Sequence, residues 1–406
     1  MKKLFKKCSL ARIKRWLKAA RALFKRGDPV AHFLVFNNLV STRLTSPSAP
    51  SHAISLDQFE VCVRQRLVQS LMANGFLGEL SVCTANINDP ITAPLPREWL
   101  LHLEVNGFLL NKTKSRLLWQ FELIKSFFRG LKKILRLFLR SFGNRQNFDE
   151  FNPAIILPFV DRVNLVNYGQ LPNCTQNFIT WVMRQSFCEK GQKILVHVEG
   201  HEPGQLDQNL YVDQDYLPPL QNWLIRLSYC LSCFKSILQA MFIFRKSTWA
   251  YCYLLDEIVE LEYFLRANIA PRLVIFSNHD FQFRPLWTYQ FVKSGGEVSY
   301  AFYSRNSQVI SQSNQDNIHK TPGYATMSWP KIFVWDRGQE QFIKSAMEAN
   351  GLICPKPAFE VCGYIDFNDD GSEIMGVHKQ GKSCAIFDVS AFQSCVSADR
   401  GIMDPY

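Results

Sequence analysis

After residue 150 the chain alternates short apolar runs with helical stretches, and no other feature limits its fold as strongly. Ala154–Phe159, Ile194–Val198, Leu273–Ser277, Val298–Tyr303, Lys331–Trp335, Phe359–Cys362 and Ala385–Val389 read as strands. Trp287–Val292 and Gln339–Ala349 read as helices, with Gly295-Gly296 as a turn and Asn350-Gly351 closing the second helix. Strand and helix repeating at this spacing predict an α/β fold, a doubly wound parallel sheet with right-handed crossovers. With 406 residues, 47% of them hydrophobic, the chain can bury one large core or two.

The N-terminus is organised differently. Residues 1–27 carry eleven Lys/Arg and no acid; without them 35 basic residues face 35 acidic ones, so the body is formally neutral. At helical spacing Leu10, Ile13, Trp16, Leu17, Ala20, Leu23 and Phe24 share one side, with the cations opposite, and Gly27-Asp28-Pro29 ends the helix. Such a helix suits the headgroup zone of an anionic bilayer; a surface helix packed on its own domain is the other reading. A neutral body argues against nucleic acid as a partner. The interleaved charges exclude a signal peptide.

Residues 41–52 read as a loop and 56–73 as a helix. Residues 112–145 hold ten basic residues and one acid, Glu122. From Phe121 onward Ile124, Phe127, Phe128, Leu131, Leu135, Phe138 and Phe142 share a face, and Lys125, Arg129, Lys132, Lys133, Arg136 and Arg140 share the other. This reads either as a second membrane-surface helix or as a packed helix with a solvated basic face. Trp223–Phe244 is apolar but interrupted by Arg226 and Lys235, and reads as a buried or interfacial helix. Twelve scattered cysteines, without a framework, fit reduced thiols in the cytoplasm. Cys230 and Cys233 have redox spacing but fall within an apolar helical run, which points to core packing.

Ligands of open α/β sheets bind at the carboxyl ends of strands. The richest such end is Ser277-Asn278-His279-Asp280, followed by Arg284. There His279 is the candidate general base, Asp280 sets its tautomer, and Asn278 and Arg284 hold a phosphate or carboxylate. The plainer alternative is that Asn278 and Asp280 cap the next helix. The following strand ends in Tyr303-Ser304-Arg305-Asn306, which makes Arg305 the second anion-binding candidate. His197, Glu199 and His201 would share a face of an extended strand, as metal ligands do, but Gly200 and Pro203 end that strand first. No metal site is expected, and Glu199 becomes an alternative base at the rim. Asp366–Gly371 begins like a calcium loop, but Val377 stands where a bidentate Glu is required. Dinucleotide, P-loop and nucleophile-elbow motifs are absent.

The order of elements from 272 to 389 resembles the central part of a two-Rossmann-domain (GT-B type) glycosyltransferase. It is most similar to bacterial surface-polysaccharide biosynthesis proteins and, distantly, to the CDP-glycerol glycerophosphotransferase group. The resemblance rests on Phe276-Ser-Asn-His279-Asp, Ile332-Phe-Val-Trp335-Asp, Val361-Cys-Gly363-Tyr364-Ile-Asp366 and Cys384-Ala-Ile-Phe387-Asp388. Where the glycerophosphotransferases carry Pro-Arg after Gly-Tyr, this chain has Ile-Asp. The resemblance implies transfer of a sugar or polyol phosphate from a nucleotide-sugar or CDP-polyol donor to a lipid-linked or saccharide acceptor. It implies no cofactor or obligatory metal, and a peripheral position on the inner face of the cell membrane. The expected organisation is a basic helix at 1–27, a helical region at 28–150, a Rossmann-like domain at 151–330, and an interdomain segment with an incomplete second domain at 331–406. A sugar-nucleotide domain needs about 150 residues, and 17 follow Val389, so if the chain ends at Tyr406, transfer by it alone is not expected. The rival expectation is a non-catalytic α/β scaffold that binds membranes or a partner. A hydrolase using Glu199 or Asp280 with His279 is a third.

Overall fold

A computed structural model of the chain describes residues 55–73, 90–106, 108–143, 151–166, 178–201, 203–243, 249–277, 281–302, 324, 326–349 and 356–363. The basic helix at 1–27, the loop at 41–52, the calcium-like turn and the strand at Ala385–Val389 lie outside these residues.

The centre is one eight-stranded sheet. In chain order the strands are β1 (Ile155–Leu157), β2 (Ile194–His197), β3 (Gly204–Asp207), β4 (Leu210–Asp213), β5 (Leu273–Phe276), β6 (Glu297–Ala301), β7 (Lys331–Val334) and β8 (Ala358–Val361). Their spatial order is β3-β4-β2-β1-β5-β6-β7-β8. Only β3 is antiparallel, pairing with β4 at one edge. β4, β2, β1, β5, β6, β7 and β8 are parallel neighbours. Taken without β3 this is the Rossmann order, with the direction of winding reversed between β1 and β5. β7 and β8 therefore extend the same sheet through Val361.

Alternation along the strands divides the core. Ile156, Leu195, Val274, Phe276, Val298, Tyr300, Ile332 and Val334 face the larger cluster. Ile155, Leu157, Ile194, Val196, Leu273, Ile275 and Phe333 face the smaller one. Six of the seven expected strands thus recur, within one or two residues at each end. The sequence does not announce the β3–β4 hairpin, because Gly204-Gln-Leu-Asp207 has no apolar run.

The helices are α1 (Leu56–Ala73), α2 (Arg97–Val105), α3 (Lys112–Arg140), α4 (Val163–Val166), α5 (Phe178–Arg184), α6 (Trp223–Ile243), α7 (Ala250–Tyr253), α8 (Leu255–Ala267), α9 (Trp287–Lys293) and α10 (Arg337–Ala349). α5 covers the smaller core. α1, α2, α3 and α6–α10 contribute to the larger one. α1 begins with a reciprocal cap: Ser55 Oγ accepts from the Gln58 amide (3.2 Å), and Gln58 Oε1 accepts from the Ser55 amide (3.0 Å).

α3 corrects the sequence-based picture of its two faces. Its buried positions are Ser115, Trp119, Leu123, Ser126, Gly130 and Leu137, small residues and wide ones mixed. They lie against α7 and α8. A Cβ on Gly130 would come within 2.5 Å of Leu255 Cγ, so glycine allows the two helices to approach this closely. Part of the basic face is turned inward rather than solvated. Lys133 pairs with Glu260 (2.8 Å), Arg140 with Asp213 (2.6 Å) and Arg136 with Asp215 (3.4 Å). The acids that draw these cations in come from β4, the loop after it, and α8, all far away in sequence. Much of the predicted apolar face is left outward. On α6 the residues at 224, 227, 231, 234, 238 and 241, spaced alternately by three and four, are likewise exposed. Among the described residues no helix is long and apolar enough to cross a membrane. The six cysteines found there, Cys230 and Cys233 included, are free thiols.

Candidate functional site

In sheets of this order the carboxyl edge at the reversal of winding, here between β1 and β5, is where ligands bind. The loops that leave this edge nearest the reversal are, in spatial order, those after β4, β2, β1, β5 and β6. Glu199 follows β2, Asn278-His279-Asp280 follows β5, and Arg305 follows β6. The topology therefore launches these candidates from three strands, β2, β5 and β6, within a run of four neighbours. Asn278, His279, Asp280 and Arg305 themselves lie outside the described residues. The last described residue before them, Ser277, is buried, and its carbonyl accepts from Tyr300 Oη (2.8 Å). Glu199 is exposed at the rim, two residues beyond the end of β2.

Arg284 is turned into the protein. It is buried; its Nε donates to Thr288 Oγ1 (2.8 Å), Nη1 to the Ser328 carbonyl (2.8 Å) and Nη2 to the Thr288 carbonyl (3.1 Å). The guanidinium also lies over the Tyr289 ring at 4.0 Å. Its backbone amide donates to Gln65 Oε1 (3.2 Å), and Gln65 Nε2 reaches Thr326 and Ser328. In this arrangement Arg284 braces the loop that follows Asp280 against α1 and the approach to β7. These hydrogen bonds tie the guanidinium to α9 and to the segment before β7.

The structure adds a group that sequence reasoning weighed only for metal. Phe159, just after β1, has φ 57°, a left-handed backbone that is costly for a bulky residue. Its amide donates to His197 Nδ1 at 3.0 Å. Nδ1 is therefore the acceptor and Nε2 carries the proton. Nε2 is buried. The imidazole is walled edge-on by Phe159 at 5.0 Å and Tyr216 at 5.3 Å. Burial, then the cations Arg136, Lys133 and Arg140, lower its pKa to about 4, against the Gln214 carbonyl, which acts the other way. His197 is thus a neutral wedge that fixes the turn after β1. With Nδ1 engaged and Glu199 exposed, the sequence trio does not converge on a metal, and no metal-ligating cluster occurs among the described residues.

A charged cluster lies behind this wedge. Tyr216 Oη donates to Glu260, which also receives Lys133. Burial works to lower the Lys133 pKa, and the Glu260 carboxylate more than offsets it, so the net shift is upward. Burial raises the Asp215 carboxyl, with Arg136 and Arg140 opposing. These contacts fasten the end of β4 to α3. No motif announces them, because each pair joins residues more than 40 positions apart.

The depressed His197 pKa makes acid destabilising. Above about pH 6.5 the imidazole is neutral whether the chain is folded or not. As pH falls from 6.5 towards 4 the unfolded chain takes a proton that the folded one refuses. Relative to His197→Gln, the unmodified chain is expected to lose about 3 kcal/mol over that window. Urea unfolding of both at pH 7 and pH 4 measures this; parallel losses would refute it.

No curated protein and no solved structure matches the chain. A protein-family model does match residues 236–406, a stretch that contains α7–α10, β5–β8 and the loops bearing Asn278–Asp280 and Arg305. That family is described as polysaccharide biosynthesis PFTS motif protein, and the match supports a role for this chain in polysaccharide biosynthesis.

Proposed function

We propose that the chain is a glycosyltransferase-like protein that moves a sugar or polyol phosphate from a nucleotide donor to a membrane-linked acceptor. The observation that carries the reading is the polysaccharide-biosynthesis match over the half of the sheet whose polar loops leave the winding reversal. In this reading His279 takes the proton of the acceptor hydroxyl as its oxygen attacks, and Asp280 orients the imidazole. For a sugar donor the bond from the anomeric carbon to the phosphate breaks and the nucleoside diphosphate leaves. For a CDP-polyol the bond broken is phosphorus–oxygen, and CMP leaves. Asn278 and Arg305 meet the phosphate charge that grows on the leaving group. Glu199, at the rim beside β1, is the alternative base. Arg284 acts indirectly, by bracing the loop that presents Asp280.

The test is transfer of a radiolabelled sugar or polyol phosphate to membrane acceptors. His279→Ala is expected to lower kcat by roughly 100-fold or more. Arg305→Ala is expected to raise KM for the nucleotide donor. Undiminished transfer by His279→Ala overturns the assignment. An unmodified chain that binds acceptor without transferring anything overturns the catalytic reading and leaves a binding role.

A further inference from the structure

α3 and α6 form one antiparallel pair on the outside of the molecule. Both rest on α8: Lys133 of α3 meets Glu260, and Ser228 and Ser232 of α6 meet Arg266 and Glu262. The end of α3 meets the start of α6 where Arg226 stacks over the Phe142 ring at 4.9 Å. Their outward sides are apolar. Phe121, Phe128 and Leu139 of α3 are 66%, 62% and 63% exposed; Trp223, Leu231 and Phe234 of α6 are 67%, 62% and 60% exposed. Large apolar side chains exposed together on neighbouring helices mark an interaction site.

Its charge selects the occupant. Lys114, Arg116, Lys125 and Lys132 on α3 and Lys235 on α6 are exposed beside the stripes. α6 contains no acidic residue. The one acid of α3, Glu122, is largely buried and pairs with Arg129 and Lys125. A second copy of this face would bring cations against cations. Residues 1–27, with eleven Lys/Arg and no acid, would do the same. An apolar stripe with a cationic margin complements an anionic lipid surface. The helices are about 44 and 32 Å long at 1.5 Å per residue, and among the described residues none is apolar enough to span. We propose that the α3–α6 face docks in the plane of an anionic bilayer, with its Phe, Leu and Trp side chains among the upper acyl chains and its lysines at the lipid phosphates.

This inference stands apart from the transferase reading, since vesicle binding needs no transfer. The whole chain is sedimented with phosphatidylglycerol–phosphatidylcholine vesicles and with phosphatidylcholine alone. Phe128→Ser with Leu231→Ser and Phe234→Ser changes exposed positions only, and unaltered thermal unfolding checks that the fold survives. The triple variant is expected to bind anionic vesicles at least tenfold more weakly. Lys114→Gln with Lys132→Gln and Lys235→Gln is expected to remove most of the preference for anionic over neutral vesicles. Unchanged partitioning of the triple variant overturns the proposal. So does binding lost only on deletion of residues 1–27, which assigns membrane contact to that segment. A dimer dispersed by the triple variant, without vesicle binding, overturns it in favour of a second copy.

Discussion

Replacing Arg66 with Met is expected to lower the free energy of unfolding by about 3–5 kcal/mol, the usual cost of removing one partner from a buried ion pair. Arg66 of α1 reaches two adjacent carboxylates of α8, Asp256 at 3.2 Å and Glu257 at 2.9 Å. Its guanidinium lies 4.4 Å over the Phe283 ring. Glu257 also accepts from the Leu286 amide (3.0 Å), so α1, α8 and the segment before α9 meet at this one carboxylate. Burial raises the Glu257 pKa to about 7, even with Arg66 pulling it down. The methionine fills similar space but leaves two like charges side by side. The sign of the pH effect follows. As pH falls through about 7 Glu257 takes a proton, the attraction that Arg66 supplies shrinks, and the gap between Arg66→Met and the unmodified chain narrows. Urea unfolding at pH 6 and pH 8 measures both effects. A gap that is small, or that widens at pH 6, refutes the account.

Trp287→Ala is expected to cost a similar 3–5 kcal/mol, as deletion of a large buried aromatic does. Trp287 is fully buried at the start of α9. It stacks on Tyr216 at 5.5 Å and meets Phe264 at 5.1 Å and Phe276 at 6.3 Å. Tyr216 in turn walls His197, which holds Phe159 in its left-handed turn. The cavity therefore opens directly behind the winding reversal. Trp287 Nε1 has no hydrogen-bond partner, so Trp287→Phe gives up no bond and is expected to recover more than half of the loss. Wetting of the cavity is expected to move the His197 pKa up from about 4 towards 6.5 in Trp287→Ala, readable by NMR titration. An unmoved His197 would break the proposed link between α9 and the turn after β1.

The candidate site divides by how far its signals travel along the chain. Asn278, His279, Asp280 and Arg305 stand directly after apolar runs, so local sequence places them at strand ends. The chain order also makes β5 and β6 neighbours. Arg284 is read from sequence as an anion ligand because a lone Arg after a polar loop carries no sign of its partners. Thr288 and Tyr289 lie four and five residues on, but Ser328 and Gln65 meet it only in the folded state. His197 shows the same limit. Its spacing to Glu199 and His201 suggests ligands, while the aromatic wall that keeps it neutral comes from the turn after β1 and from the loop after β4.

What the amino-acid sequence determines by itself is the α/β class, six of the eight strands, the α1, α3, α6, α9 and α10 helices, and the basic N-terminus. These follow from apolar periodicity and local charge, which act over a few residues. Tertiary structure alone decides the β3–β4 hairpin, the winding reversal between β1 and β5, and the direction in which α3 faces. Periodicity shows that a helix has two faces but not which one meets the core. For α3 the buried acids at 213, 215, 256 and 260 settle that question. They are distant in sequence, and burying them without cations costs more than leaving Phe121, Phe128 and Leu139 at the surface.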